Sequence, residues 1–397
     1  MNKKIKQVSK LCAVVLTASI VLISCTPAKK EYSSELSVEE VIRVVDDVAQ
    51  WQVREYSNMD KKMRPVWKSH NDLAWNNGVF LYALAEWAEV NHNLDFVRWY
   101  EGIAKKNYWQ LGADTMYYYH ADRMAVCLLY AKLYEKYKNP AIIYPTLATL
   151  EFIANHPSSV SLNRDNDDLI ATDRWSWCDA LYMAPPVYAA FANISGNDRL
   201  RDFMDREYDV TYEYLYDKEE KLFYRDSKYF NQREKNGEKV FWGRGNGWVV
   251  GGLALLIPQL PDSFAGKEKY ITLFREMMER IASLQGEDGY WHASLLDPAA
   301  YPNPETSSTG YFTFALWWGI NHRILDQDKF LPHAQKGWEA LVNAVQPDGM
   351  LGWVQPVGQN PQEVTKDMTE TYGAAAFMLT GKEIIKYLNN SSLKETE

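Results

Sequence analysis

Apolar residues in this chain recur at intervals of three and four positions, the spacing that collects side chains on one face of an α-helix. Residues 79–87 and 124–130 are two such stretches. Alternation of apolar and polar residues, the pattern of a half-buried strand, is scarce from Leu36 onward. The periodicity therefore predicts an all-α chain.

Six of these helical segments open with a small or polar residue beside a glycine or an aspartate, which suggests an internal repeat. Successive starts are 44 to 68 residues apart, enough for two helices and their loops. The starts are Asn77, Ala121, Asp179, Gly247, Gly310 and Gly373. We expect six helical hairpins closed into an (α/α)6 barrel, whose inner helices begin at one rim around a shared cavity. Any helical protein contains some glycine-started helices, so another helical fold is the alternative.

The first thirty residues have the features of a targeting signal. A lysine-rich head precedes an apolar run over residues 11–23, which is shorter than the roughly 20 residues of a transmembrane helix. The ending Leu22-Ile23-Ser24-Cys25 resembles the lipobox of bacterial lipoproteins and implies a lipidated Cys25. A plain secretory signal with a chance cysteine is the alternative.

We therefore divide the chain into a signal peptide (1–24), a tether (25–35) and one barrel domain (36–397), since no linker composition splits the body. We expect a protein of the bacterial cell envelope that meets the membrane only through its lipid anchor. A monomer or a weak dimer is expected.

Charge and aromatic content narrow the class of ligand. The formal net charge is −9, and a negative protein does not attract nucleic acid or anionic lipid by bulk charge. Aromatic residues make up 14% of the chain, which suits a helical core or a surface that stacks on sugars. Cys127 and Cys178 lie among apolar neighbours, as buried free thiols do. Without a CxxC or HExxH spacing, we expect neither a metal nor another cofactor.

Two aspartates are the candidate catalytic residues. Asp179 precedes Pro185 and Pro186, which fit the first turn of a helix, and aromatic residues such as Trp177 flank it. Asp122 lies at the equivalent position of the preceding repeat. Two carboxyls in one cavity repel each other, which raises one pKa and allows that group to act as an acid. Ordinary helix capping is the alternative for each aspartate.

The block Trp242-Gly243-Arg244-Gly245-Asn246-Gly247-Trp248 is the densest signal in the chain. Its glycines would let the backbone approach a ligand, Arg244 would grip a carboxylate, and Trp248 would stack on a sugar ring. A nucleotide loop is disfavoured, because the block has neither the GxGxxG register nor a Walker lysine. A purely structural turn is the other alternative.

Several weaker candidates surround these residues. His120 could orient Asp122 or contact substrate, although a core histidine explains it equally well. Arg225 could add positive charge for an acidic sugar, although most such arginines form surface pairs. Capping accounts for most of the segment from Glu305 to Gly310. Trp67, Trp75 and Trp353 could line the cavity or pack beneath it.

Residues 173–186, 242–248 and 305–310 together resemble glycoside hydrolase family 105, a close relative of family 88. The resemblance implies an (α/α)6 barrel and removal of a 4,5-unsaturated uronic acid from oligosaccharides made by lyases. It implies that Asp179 is the general acid/base, that Asp122 is the second active-site aspartate, and that Arg244 and Trp248 bind the uronic acid. This chain has Arg225 where many members have a histidine, so the resemblance does not fix the identity of the leaving sugar.

The implied reaction is hydration of a vinyl ether. Protonated Asp179 would donate to C4, and ionised Asp122 would stabilise the cation that forms at C5. An ordinary inverting glycosidase or a lyase on the same barrel is one alternative, since a fold does not fix its function. A non-catalytic glycan-binding surface lipoprotein is another.

Overall fold

The computed structural model describes residues 31–58, 70–112, 118–164 and 169–394. Residues from Tyr32 onward form one compact unit. The described part contains twelve α-helices of eleven or more residues. They are α1 (Val38–Glu55), α2 (Trp75–Val90), α3 (Leu94–Lys106), α4 (Cys127–Tyr137), α5 (Tyr144–Asn155), α6 (Pro185–Ser195), α7 (Asp198–Leu215), α8 (Gly243–Leu256), α9 (Lys267–Ser283), α10 (Thr306–Asn321), α11 (Gln327–Asn343) and α12 (Thr371–Lys394).

The even-numbered helices form a closed inner ring. Each contacts the next even-numbered helix, and α12 returns to α2. The odd-numbered helices pack outside this ring, for example α1 on α12, α3 on α2 and α11 on α10. The predicted (α/α)6 barrel is therefore confirmed, with an outer and an inner helix in each hairpin.

Burial separates the two rings as the sequence pattern requires. Every residue from Thr306 to Ile320 of the inner helix α10 is buried, because neighbours surround it on all sides. The outer helix α7 buries only eight of its eighteen residues, along one stripe. The short hairpin β1 (Tyr216–Asp217) and β2 (Leu222–Phe223) follows α7.

The ends of the helices determine which polar groups face the cavity. Outer helices α1, α3, α7 and α11 each begin with a side chain that accepts a backbone N–H. Inner helices α2, α4, α6 and α8 begin without such a cap. Polar side chains near the first residues of these inner helices therefore do not cap them.

The ring is closed by hydrogen bonds between its first and last inner helices. Asn76 at the start of α2 donates from Nδ2 to Thr371 Oγ1 of α12 at 3.2 Å. The Thr371 hydroxyl in turn donates to the backbone oxygen of Asn76 at 3.0 Å. Both side chains are buried, and their hydrogen bonds join the first and last inner helices at the rim of the cavity.

The glycines of the 242–248 block serve helix packing, which corrects the expected approach to a ligand. A Cβ on Gly243 would lie 2.7 Å from the His292 backbone oxygen. A Cβ on Gly247 would lie 3.2 Å from Tyr311 Cβ of the next inner helix. The space beside these glycines is thus filled by protein, and small residues let α8 approach its neighbours.

No helix within the described residues is long and apolar enough to cross a membrane. The predicted signal peptide and Cys25 lie outside those residues. Cys127 and Cys178 are buried free thiols, as expected.

Candidate active site

A cavity of about 380 Å³ lies at the rim where the inner helices begin. Six of the seven residues predicted for catalysis or substrate binding line it, and Trp248 is the exception. Its lining comprises charged residues, tryptophans and a segment that precedes α12. These are Asp122, Asp179, Arg164, Arg225, Arg244, His120, Trp75, Trp177, Trp242, Thr172, Met183 and residues 357–359.

Asp179 stands at the start of the one-turn helix Ala180–Met183, directly before the proline start of α6. Its side chain makes no capping hydrogen bond, which removes the ordinary structural explanation for an aspartate there. Arg225 Nε lies 3.4 Å from Asp179 Oδ2, and the Cys178 thiol donates to the same oxygen at 3.6 Å. The carboxylate is thus oriented by two neighbours and stays open to the cavity.

Asp122 lies in the 3-10 turn Ala121–Met124, where the His120 ring nitrogen Nδ1 accepts its backbone N–H at 3.2 Å. Although 28% of its side chain is open to the cavity, protein surrounds the carboxyl, and this burial raises its pKa. The negative charge of Asp179 raises that pKa further, whereas His120 and Arg225 oppose the rise. Asp122, the residue that we expected to be ionised, therefore has a raised pKa.

Arg225 contacts two aspartates, Asp179 and Asp226. Besides its contact with Asp179, it donates from Nη1 to Asp226 Oδ2 at 2.5 Å, and Asp226 is fully buried. Although burial opposes it, the charges of Asp179 and Asp226 raise the pKa of Arg225. Arg225 therefore lies in the cavity wall beside Asp179, and its pair with Asp226 is buried rather than exposed on the surface.

Arg244 reaches the cavity, but two of its nitrogens donate to backbone. Nη1 donates to the Gln355 oxygen at 2.5 Å and Nη2 to the Pro356 oxygen at 2.9 Å. Its guanidinium also lies 4.4 Å from the Trp242 ring centroid. Arg244 therefore anchors the segment that forms one wall of the cavity, a role that the sequence did not predict.

Glu305 also binds the backbone of the segment that Arg244 anchors. Its buried carboxylate caps α10 by accepting the backbone N–H groups of Ser307 and Ser308, as the capping explanation predicted. It also accepts the Gln355 backbone N–H at 3.0 Å. Because Glu305 and Arg244 both bind the backbone of Gln355, the start of the 355–359 segment is fixed relative to α8 and α10.

Trp248 is fully buried and does not line the cavity, which corrects the expected stacking on a sugar. Its ring packs against Tyr182 and Tyr311 at centroid distances of 4.8 and 4.5 Å. Trp75, whose ring lies 5.8 Å from that of Trp248, lines the cavity in its place. Trp353 is not among the lining residues, and Trp67 lies outside the described residues.

Other predicted and unpredicted residues complete the wall. Trp177 lies 4.7 Å from the His120 ring, so both candidates belong to the same face. Arg164 and Asp226 were not predicted as site residues. Arg164 lies in a loop without a motif, and only the contact between chain segments places it in the cavity. Asp226 directly follows Arg225, and this charged pair was the available signal.

A larger groove of about 640 Å³ lies between the outer helices α7 and α9. It is lined by tyrosines and by acidic residues such as Glu213 and Glu276. The rim cavity is the better candidate for a catalytic site, because it combines a carboxyl pair with three arginines. Within the described residues, no group of histidine, cysteine and acidic side chains could bind a metal ion.

Comparison with known proteins identifies the family. The profile described as Glycosyl Hydrolase Family 88 matches residues 44–388. The chain belongs to this family. The predicted resemblance is therefore confirmed, and the chain is a glycoside hydrolase.

Two curated relatives have the same name, unsaturated 3S-rhamnoglycuronyl hydrolase. The protein from Alteromonas sp. (strain LOR) is 33% identical over 95% of this chain and 98% of its own length. The protein from Formosa agariphila is 35% identical over 79% of this chain and 84% of its own. A solved structure named as a polysaccharide lyase is 30% identical, with a TM-score of 0.76 over 89% of this chain and 98% of that one.

Proposed function

We propose that this glycoside hydrolase removes a 4,5-unsaturated uronic acid from the end of lyase-generated oligosaccharides by hydrating the double bond. The observation that carries the proposal is the placement of Asp122 and Asp179 in one cavity with Arg164, Arg225 and Arg244. The carboxyl pair suits proton transfer, and the arginines suit an acidic sugar. The names of the two curated relatives support the same class of substrate.

The carboxyl pair gives one proton to the substrate and later receives one from water. One proton is transferred from Asp179 to C4 of the vinyl ether, which leaves an oxocarbenium-like cation at C5. Water adds to C5 and returns a proton to the pair, so that its charge is restored. The resulting hemiketal opens and releases the neighbouring sugar.

Burial and the charge of Asp179 raise the pKa of Asp122, so the protein makes the charged form of Asp122 less favourable than it would be in water. In the proposed reaction Asp179 carries the proton for C4, and ionised Asp122 is the carboxylate that faces the cation. Trp75 and Trp177 offer flat faces on which the sugar rings can stack.

The test is to incubate the purified protein with unsaturated oligosaccharides and follow ultraviolet absorbance. Hydration removes the conjugated double bond, so absorbance should fall as a sugar is released. The Asp179→Asn variant should bind the substrate without this change. Unchanged absorbance over panels of rhamnose-, hexosamine- and galactose-linked unsaturated disaccharides would contradict the proposal.

A polysaccharide lyase is a second candidate, favoured by the name of the solved structure that is 30% identical to this chain. A lyase forms the double bond, so absorbance would rise on an intact acidic polysaccharide. The sign of the absorbance change thus separates the two functions in one assay.

The finer specificity and the location of the protein are also proposals. We propose that the leaving sugar is a rhamnose, which is supported by the curated relatives' name. We also propose that Cys25 anchors the protein in the bacterial cell envelope, supported by the basic head, the apolar run and the Leu-Ile-Ser-Cys ending. Incorporation of labelled fatty acid that is lost in Cys25→Ala tests the anchor. The monomer or weak dimer stays a prediction, to be checked by light scattering.

A further inference from the structure

The guanidinium of Arg164 is a buried cation without a close hydrogen-bonding partner among the described residues. Only 7% of Arg164 is exposed, yet its Nε is buried without an acceptor. Its nearest carboxylate is Asp226, with Oδ2 3.9 Å from Arg164 Nε, which is a loose ion pair. Its guanidinium lies 5.6 Å from the Trp177 ring centroid and borders the rim cavity. A buried guanidinium normally satisfies its donors, so this one has unused capacity.

Arg225 competes for the same counterion. It holds Asp226 Oδ2 at 2.5 Å, much closer than Arg164 does. The other oxygen, Asp226 Oδ1, accepts the Lys228 backbone N–H at 3.0 Å. Asp226 is therefore engaged behind the cavity wall by Arg225 and by the Lys228 backbone, and Arg164 Nε is left without an acceptor. Burial and the charge of Arg225 both lower the pKa of Arg164, as expected for two cations forced together.

The structure assigns Arg164, together with Arg225, as an anion-binding subsite that takes an oxyanion of the substrate. The bound group completes the hydrogen bonds of Arg164. Guanidinium groups match carboxylate and sulfate oxygens in geometry, and the low dielectric of a buried wall strengthens the pairing. This assignment rests on the proposed function for the identity of the substrate only.

Arg164 is better suited to this role than Arg244. The two Nη groups of Arg244 already donate to the Gln355 and Pro356 oxygens, so only its Nε, which is buried without an acceptor like that of Arg164, is unpaired. The oxyanion could be the carboxylate of the unsaturated uronic acid, because Arg225 lies 3.4 Å from the proton-transferring Asp179. It could also be an acidic substituent of the leaving sugar. Both have the same chemistry, and substrate pairs separate them.

The first experiment measures binding without turnover, so its outcome does not depend on the proposed function. Inorganic sulfate is titrated into the wild type and Arg164→Gln by calorimetry, with chloride at equal ionic strength as the reference. We expect sulfate to bind the wild type about tenfold to a hundredfold more tightly than Arg164→Gln. Arg164→Lys should retain part of the affinity. Arg233→Gln, which removes an exposed arginine, is the matched control and should bind as the wild type does.

The second experiment measures KM and kcat on two unsaturated disaccharides that differ only in a neutral or an acidic leaving sugar. If Arg164 binds the uronic acid, Arg164→Gln raises KM about tenfold or more on both substrates. If it binds the leaving sugar, KM rises only on the acidic one. Equal sulfate affinity in the wild type and Arg164→Gln, or KM values unchanged on both substrates, would overturn the assignment. If Arg164→Gln does not fold, Arg164→Lys provides the same comparison with a severalfold effect.

Discussion

Arg225 Nε lies 3.4 Å from Asp179 Oδ2, and the same guanidinium holds the fully buried Asp226. This contact couples the candidate proton-transferring carboxylate to the arginines of the cavity wall. A change in the charge of Arg225 or Asp179 therefore alters the electrostatic potential at the other residue. Both charges also act on the carboxyl of Asp122.

Asp179→Asn is expected to lower kcat by about 10²–10⁴-fold, the usual contribution of a general acid or base. Asn keeps the size and polarity of the side chain, so substrate affinity should survive. The measurement is loss of absorbance under single-turnover conditions, with binding followed by calorimetry. A variant that retains more than half of the wild-type kcat would rule out Asp179 as the proton donor.

Asp122→Asn should stabilise the protein at neutral pH while it lowers activity. The pKa of Asp122 is raised in the folded protein, so ionisation at neutral pH costs more when folded than when unfolded. An uncharged Asn avoids this cost, and we expect a Tm rise of roughly 1–3 °C at pH 7. Below the unfolded pKa of about 3.9 the advantage should vanish, because Asp is then neutral in both states. A Tm difference that grows as pH falls would contradict the prediction.

Cys178→Ala should reduce kcat about threefold to tenfold, because the Cys178 thiol donates to Asp179 Oδ2. Burial raises the pKa of this thiol well above its usual value, so it remains a protonated donor. Cys178→Ser keeps a donor and should retain more activity, which separates hydrogen bonding from loss of volume. A serine variant no more active than the alanine variant, at equal Tm, would argue against this positioning role.

Arg244→Met should lower the free energy of unfolding of the ligand-free protein by about 1.5–3 kcal/mol. The reason is that Arg244 donates to the Gln355 and Pro356 oxygens and so fixes the 355–359 segment. Urea denaturation without substrate checks this. An arginine that served only substrate binding would leave stability unchanged, which is the opposing outcome.

Gly243→Ala and Gly102→Ala form a matched pair. A Cβ at Gly243 would lie 2.7 Å from the His292 backbone oxygen, and overpacking of this kind costs about 1–3 kcal/mol. Gly102 of α3 has nothing within 4 Å of an added Cβ, so alanine there should add about 0.5–1 kcal/mol of helix stability. Thermal unfolding of both variants tests whether helix packing requires glycine at position 243.

The helical spacing was sufficient to predict the barrel, because burial on one face repeats locally along the chain. It also predicted that Asp122 and Asp179 lie near each other, since equivalent positions in neighbouring hairpins meet at one rim, and both residues line the cavity. It could not distinguish Trp248 from Trp75, because both lie in the first turns of an inner helix and only packing decides which ring is covered. Arg164 could not be found either, since its loop reaches the cavity through contacts that are remote in sequence.

The hydrogen bonds between Asn76 and Thr371 join residues 295 positions apart. The cavity is thus complete only when the first and last inner helices meet, although both candidate catalytic aspartates lie in the first half of the chain. Turnover can therefore serve as a readout of complete barrel closure, and a partly folded chain that already has its helices would be silent in such an assay.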